Sequence, residues 1–395
     1  MATSSATLSS MLETMKRLSL GFFLLAGATA MLLFSDQNSN RFLRPEPVAS
    51  PASVKVFRMA LVQHASIPAL DEGVTGILAG LAERGYHEDG RIHVTRYNSE
   101  SDIGTANAIA KEVTSGNYDI IVSASTISLQ TIANANRFAA KTPHVFGLVS
   151  DPYGAGVDID PADHKKHPPY ITGYGSIQPV AAIFRTAREM YPGLKSVGLA
   201  WNPAEANSLA QTKIARAVCA ELGIELVEAN AENSAAAREA VSSLIARSVD
   251  AVWISGDITI SMSSDVIIET ARLAKIPVFT AMPMNVEKGA LFDLGANFSS
   301  VGHSVGLLVA DVLDGKSPAD IPVENFVPEL FLLNEMVPPT LRDAWEITQS
   351  MRQRASGMVT DKSPKKVIYR SADLGALHPE KEVDGSGIVR ENRNN

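Results

Sequence analysis

The chain has 395 residues, enough for two domains of ordinary size, and 45% of them are hydrophobic, enough to bury real cores. Lys and Arg number 35 against 43 Asp and Glu, a formal charge of -8 with no dense basic stripe, which excludes a nucleic-acid surface. The single cysteine, Cys219, excludes an intrachain disulfide and falls inside an apolar-periodic helix, where it reads as core.

Lys16-Arg17 precede an apolar run from Leu18 to Phe34. Ala28-Thr29-Ala30 fits a signal-peptidase site, but the run continues through Met31-Leu32-Leu33-Phe34, which favours retention as a membrane anchor. The competing reading is a buried helix of the folded body. Basic residues ahead of the run imply export of the chain beyond it. No cysteine is placed for lipidation there. Residues 1–17 thus form an N-terminal region, 18–34 a signal or anchor segment, and 35–53 a tether rich in Asn, Ser, Pro and Ala.

The pattern then becomes strand–helix alternation. Strands are expected at 56–62, 92–97, 119–124 and 144–148, and helices at 69–84, 105–114 and 129–140. Residues 171–176 read as a Gly-rich crossover, after which the same grammar restarts. Helices at 179–190, 209–222, 235–246 and 262–274 alternate with strands at 196–200, 225–228, 251–255 and 278–280. A small-residue helix is expected at 300–313. Short apolar strands between amphipathic helices imply α/β architecture with parallel sheets covered on both faces. The expected first domain is 54–173 plus about 281–299, and the second is 174–280 plus about 300–322. Residues 323–352 are expected as a final crossover and packing segment, and 353–395 as a polar tail.

Residues 154–170 interrupt this order. Asp158, Asp160, Asp163, His164 and His167 are metal-ligand types, but their spacing fits no closed site and Lys165-Lys166 stand among them. A solvated loop is expected, and no metal or cofactor is assigned anywhere in the chain.

Polar clusters fall where strands end, the edge at which open α/β sheets present ligand contacts. Gln63-His64 come directly after the first strand. His64 is a candidate ligand contact or gate, or else a helix cap. Ser125 and Thr126 are placed to offer hydroxyls and helix N–H groups to a carboxylate, with N-capping as the competing role. Asp151, in Ser150-Asp151-Pro152, reads mainly as a turn residue. Trp201-Asn202-Pro203-Ala204-Glu205-Ala206-Asn207-Ser208 is the most informative stretch. Asn202, Asn207 and Ser208 are candidates for the same carboxylate from the opposite domain. Glu205 and Asp257 are candidates for an ammonium, although burying both acids without compensation is expensive. Tyr153, Tyr174, Trp201 and Phe292 line a pocket or pack a core. The stretch from Trp201 to Ser208 offers amides, a hydroxyl and one carboxylate but no obvious nucleophile–base pair, so it reads as a site that holds a small zwitterion and does not transform it.

Several segments carry a family resemblance: Val62-Gln63-His64 with Pro68-Ala69-Leu70-Asp71; Asp119-Ile120-Ile121-Val122; Ser150-Asp151-Pro152; and Asn202 to Ser208. Lys275-Ile276-Pro277-Val278-Phe279, Val286-Glu287-Lys288-Gly289-Ala290 and Pro318-Ala319-Asp320-Ile321-Pro322 add to it. Over about residues 56–340 the chain resembles the substrate-binding proteins of ABC importers that include tryptophan- and phenylalanine-binding members. The resemblance implies a type I periplasmic-binding fold: two doubly wound parallel-sheet domains joined by a three-crossover hinge. It implies that Ser125, Thr126, Asn207 and Ser208 hold an amino-acid carboxylate. Glu205 and Asp257 take the amino group, and Asp151 and Gln63 line or brace the cleft. It also implies an ABC permease as partner, at the extracytoplasmic face of the membrane.

Two other readings remain open at this point. A nicotinamide-dependent enzyme has a similar fold class, but Gln63-His64-Ala65-Ser66 stands where a Gly-x-Gly-x-x-Gly turn is needed. A membrane-tethered sensor would use the same cleft. Its support is the apolar N-terminal run, the 154–170 insertion and the charged tail.

Overall fold

The computed structural model describes residues 13, 15–19, 21–32, 55–88, 90–360 and 368–369. The expected tether at 35–53 and most of the expected tail therefore lie outside the described residues. The chain forms two units, divided at Lys55. The first holds a helix over Met15–Leu32, 18 residues with mean hydropathy 1.3, long and apolar enough to cross a membrane. A signal sequence shares both properties.

The second unit contains two sheets. Strands β1 (Phe57–Gln63), β2 (Ile92–Asn98), β3 (Ile120–Ala124), β4 (His144–Val149) and β5 (Ile171–Gly175) belong to the first. Strands β6 (Ser196–Trp201), β7 (Glu225–Asn230), β8 (Ala251–Ile254), β9 (Val278–Thr280) and β10 (Phe292–Ala296) belong to the second. The short β11 (Glu324–Asn325) joins the first sheet, and β12 (Glu329–Asn334), β13 (Gly357–Val359) and β14 (Ile368–Tyr369) join the second. The orders are β11-β5-β4-β3-β1-β2 and β14-β13-β12-β10-β9-β8-β6-β7. Both lobes thus run 2-1-3-4-5 in parallel, with β12 antiparallel to β10. Central strands such as β3 and β4 are buried along their whole length, which is why they read as continuous apolar runs.

The helices are α1 (Pro68–Glu83), α2 (Ile103–Ser115), α3 (Thr126–Asn136), α4 (Val180–Met190) and α5 (Ala206–Leu222). Further along come α6 (Ser234–Ala246), α7 (Ile258–Ser261), α8 (Ser264–Leu273), α9 (Phe298–Leu313) and α10 (Gln349–Arg354). The helix expected at 262–274 is α8, and the short α7, set off from it by a turn at Met262-Ser263, precedes the expected range.

Two expected domain boundaries need correction. Residues 292–296 are a strand of the second sheet, whereas Phe298, Val301, Val305, Leu308 and Val309 of α9 pack in the first-lobe core. The assignments of 281–299 and 300–322 are therefore reversed. Periodicity marks an apolar face on α9 but not the sheet that it meets. Glycines decide that: a Cβ on Gly302 would strike the Gly73 carbonyl oxygen, and one on Gly306 the Ile77 carbonyl oxygen. Helices α1 and α9 touch backbone to backbone, and a side chain at these positions would force them apart.

The supposed crossover at 171–176 is mostly strand β5. The polar tail expected from Gln353 instead begins with the end of α10 and with β13, which extends the second sheet. The 154–170 insertion packs Ala155, Val157 and Ile159 with Val323 beside β5. Among the described residues no cluster of His, Cys, Asp and Glu is arranged to hold a metal.

Three passages join the lobes: Gly175 to Val180, Ala296 to Phe298, and Asn325 to Glu329. They are tied together. Gln178 Oε1 accepts from Ala296 N at 2.8 Å, Asn297 N donates to Pro328 O at 2.6 Å, and Phe326 N donates to Gly175 O at 2.8 Å. Such ties bind the three passages into one hinge region.

His144 on β4 is fully buried, its Nε2 2.7 Å from Ser123 Oγ and its Nδ1 without a partner. Burial pushes its pKa down to about 3. Above pH ~6.5 the ring is neutral in both folded and unfolded chains, so it makes stability no more pH-dependent there. Below that, only the unfolded chain takes up the proton, and stability falls by about 1.4 kcal/mol per pH unit toward pH 3. Urea unfolding between pH 7 and 4 should show this slope added in the wild type relative to His144→Phe. Parallel profiles for the two proteins would remove His144 as its origin.

Candidate ligand-binding cleft

In a doubly wound sheet the crevice opens where the strand order reverses. Here that is between β1 and β3 in the first lobe and between β6 and β8 in the second. The ends of these four strands, with the loops and helix starts that follow, carry nine of the ten expected site residues: Gln63, His64, Ser125, Thr126, Asn202, Glu205, Asn207, Ser208 and Asp257. The tenth, Asp151, lies just after β4.

On the first-lobe side Ser125 caps α3. Its Oγ accepts from Ser128 N at 3.2 Å, and its backbone sits at φ 137°, a sparsely populated region for any residue with a side chain. Leu148, on the same wall, has φ 57°. Strain at two neighbouring wall positions is what a built site shows. The first-turn N–H groups of α3 have no helical acceptors and make this end electropositive.

The second-lobe side is built around two carboxylates. Asp257 is fully buried. Its Oδ2 accepts from Asn202 N and Ser208 Oγ, both at 2.6 Å, and its Oδ1 from Ile260 N at 2.9 Å. Glu205 Oε2 accepts from Ile258 N at 2.9 Å, and its Oε1 from Thr259 N at 3.0 Å and Thr259 Oγ1. Both acids therefore hold the start of α7. Burial, and then the Glu205 charge, raise the Asp257 pKa above the usual carboxylate range, against the pull of its donors.

Asn207 lies in the first turn of α5. Its Nδ2 donates to Gly256 O at 2.8 Å and to Glu205 Oε2 at 3.2 Å. With both donors turned inward, Oδ1 is left buried and without a partner.

A gap of about 20 Å³ separates the two walls. Ile67, Leu70, Ser125, Thr126, Leu148, Ser150 and Phe298 line it from the first lobe, and Asn207, Gly256, Ile258 and Met282 from the second, with Gln178 at the hinge. None of these residues is charged. Of the ten expected site residues, Ser125, Thr126 and Asn207 line the gap. Glu205, Asp257, Asn202 and Ser208 stand behind the second-lobe wall and shape it.

His64 is buried with Nδ1 2.6 Å from Ser99 Oγ, and Ser99 Oγ donates to His64 O at 3.0 Å, so the ring proton belongs on Nδ1. Burial lowers its pKa, opposed by Glu205 and Asp102. Gln63 Nε2 donates to Ala65 O at 2.7 Å and Asp71 Oδ1 at 2.6 Å, bracing the loop into α1. Asp151 Oδ1 accepts from Tyr153 N and Gly154 N, a turn role outside the gap. Tyr174, Trp201 and Phe292 pack with the two lobe cores, and Tyr153 packs beside the insertion; none lines the gap.

The aliphatic wall of Ile67, Leu70, Leu148, Ile258 and Met282 escapes a reading of the sequence because its residues look like ordinary core positions. Gln178 escapes it because its role depends on contact with β10.

This arrangement of two alike-wound lobes around a switch-point gap is that of a substrate-binding protein. Residues 58–341 match the family of ABC transporter substrate binding proteins, and the chain belongs to that family, with the type I periplasmic-binding fold. It is 27% identical over 329 residues to a tyrosine-binding protein of Clostridioides difficile strain R20291, covering 82% of this chain and 92% of the relative. A conserved domain protein from Vibrio cholerae O1 biovar El Tor superposes with TM-score 0.72 at 29% identity, over 77% of this chain and 100% of that one. An ABC domain from Streptococcus pneumoniae in complex with L-Trp gives TM-score 0.72 at 24% identity, with the same shares covered. Members of this family bind a small ligand for an ABC permease at the extracytoplasmic face, and the family is not one of enzymes.

The second-lobe network makes a stability prediction. Asp257→Ala strands three buried donors and should cost about 3 kcal/mol, whereas Ser208→Ala strands none and should cost about 1 kcal/mol. Urea unfolding of the two variants checks the ranking; equal losses would mean that Asp257 does not organise this wall.

Proposed function

We propose that the chain captures a free amino acid with an apolar or aromatic side chain between its lobes and delivers it to an ABC permease. The observation that carries this reading is the polarity of the gap. An electropositive helix start at Ser125-Thr126 lines the gap on one side and Asn207, whose Oδ1 is buried without a partner, lines it on the other, with Glu205 and Asp257 behind it. A zwitterion fits this polarity in one direction. Its carboxylate goes to the first lobe, at the N–H groups and hydroxyls of α3. Its ammonium goes to the second lobe, donating to Asn207 Oδ1.

This orientation moves Asn207 from the carboxylate to the ammonium side, and Ser208 is already committed to Asp257. The aliphatic wall and Phe298 favour an apolar side chain. Tyrosine is named for the Clostridioides difficile relative and L-Trp for the pneumococcal complex, which supports an aromatic one.

A gap of about 20 Å³ has room for about one water. An amino acid therefore enters only when the lobes part about the hinge, and closure over it is driven by contacts that exist in the closed arrangement alone. Calorimetric titration of the purified protein with each of the twenty amino acids tests the reading. L-tyrosine, L-tryptophan or L-phenylalanine should bind saturably, and at a hundredfold excess over Kd should stabilise the fold by about 2.7 kcal/mol. Asn207→Ala should weaken binding at least tenfold. No heat with any of the twenty would end the amino-acid reading.

The apolar helix near the N-terminus supports export and retention of the chain as a membrane-anchored protein. It also favours the second reading, a tethered sensor using the same cleft. Sequencing the N-terminus of the protein from extracted membranes tests the anchor: residues ahead of Leu18 should still be present. A mature chain that begins after Ala30 and washes off the membrane would overturn it.

A further inference from the structure

We propose that Gln211 is a closure latch that transmits the meeting of the lobes to the ligand-facing Asn207, an inference that rests on the amino-acid-binding reading for its second half. Gln211 lies on α5 of the second lobe and is fully buried. Its Oε1 accepts from Gly256 N at 2.8 Å within the same lobe. That bond fixes the amide so that Nε2 points out of the lobe. Nε2 donates at 3.2 Å to the hydroxyl of Ser150, which lies just after β4 of the first lobe and is itself buried.

The bond continues inward. Gly256 O accepts from Asn207 Nδ2, and Asn207 Nδ2 also meets Glu205. A hydrogen-bonded chain thus runs from Ser150 through Gln211, Gly256 and Asn207 to the acid pair. A Cβ on Gly256 would fall on the Gln211 amide, so this position is held open for the contact.

The chemistry suits a reversible latch. Both partners are neutral, and water takes over the Ser150 hydroxyl and the Gln211 N–H when the lobes part, so the net gain is small. Because the amide is already oriented by Gly256, closure spends little side-chain entropy. A second polar contact across the cleft, Ser101 Oγ to the Met262 sulfur at 3.1 Å, lies at the rim, involves a half-exposed methionine and has no such link to the gap.

The test uses Gln211→Ala, Ser150→Ala, the double variant, and Ser150→Thr, which keeps the hydroxyl. Spin labels at Lys111→Cys on the first lobe and Glu239→Cys on the second report interlobe distance; the native Cys219 is buried. Without added amino acid, Gln211→Ala and Ser150→Ala should shift the distance distribution toward the open form, and Ser150→Thr should not. Each alanine variant should weaken L-tryptophan binding about 3–10-fold, with the double variant no weaker than either single one. An unchanged distribution in both alanine variants, or losses that multiply in the double variant, overturns the latch. If the distribution shifts but no amino acid binds any form, the latch stands and the ligand reading falls. If L-tryptophan binds all forms alike with unchanged distances, the ligand reading stands and the latch falls.

Discussion

Two carboxylates buried side by side, Glu205 and Asp257, shape the wall on which the cleft depends. Both are held by backbone N–H groups and hydroxyls that converge on the start of α7, with no cation among the donors. Buried charge is costly unless hydrogen-bonded, so this wall has one arrangement in which its donors are satisfied. That arrangement fixes the Asn202 turn, the Gly256 carbonyl and, through them, the side-chain amide of Asn207. Negative charge then lies behind an uncharged surface, with Asp257 pushed toward its neutral form by burial and by Glu205. In the proposed binding mode it draws the ligand's ammonium to the gap while leaving the direct contact to the Asn207 amide oxygen.

The first lobe supplies the opposite polarity by a different device. No Lys or Arg lines the gap; the field comes from the start of α3, in a turn strained at Ser125. Helix dipole on one side and buried acids on the other define a direction without putting a salt bridge inside the cleft. Had a lysine been present, it would have paired with Glu205 and competed with any ligand ammonium. The hinge completes the design, since its three passages are hydrogen-bonded to one another and bring the two polarities together in one relative orientation.

Much of this is legible from the residues. Strand ends and helix starts carry their polar residues in sequence, so Ser125-Thr126 and Asn202 to Ser208 stand out without any geometry. What the pattern does not reveal is which polar atoms are already spent. Ser208 and Asn202 look like ligand contacts as residue types, yet each is engaged by Asp257 or its neighbours. Asp151 and Gln63 likewise brace turns. The same ambiguity hides the apolar wall, because Ile67, Leu148 and Met282 read as core whether they face a sheet or a cleft.

Sequence by itself determined the alternation of strands and helices, the repetition of one α/β unit, the apolar N-terminal segment and the polar turns. These arise from local periodicity and from the chemistry of single residues. Only the tertiary structure decided that α9 crosses back to the first lobe, that β10 stays in the second, and that Asn207 alone among the candidates keeps a bare buried acceptor. Each of those depends on atoms far apart in the chain. Glycine backbones that fit only each other set the first, a strand's choice of neighbours the second, and the count of donors around a carboxylate the third.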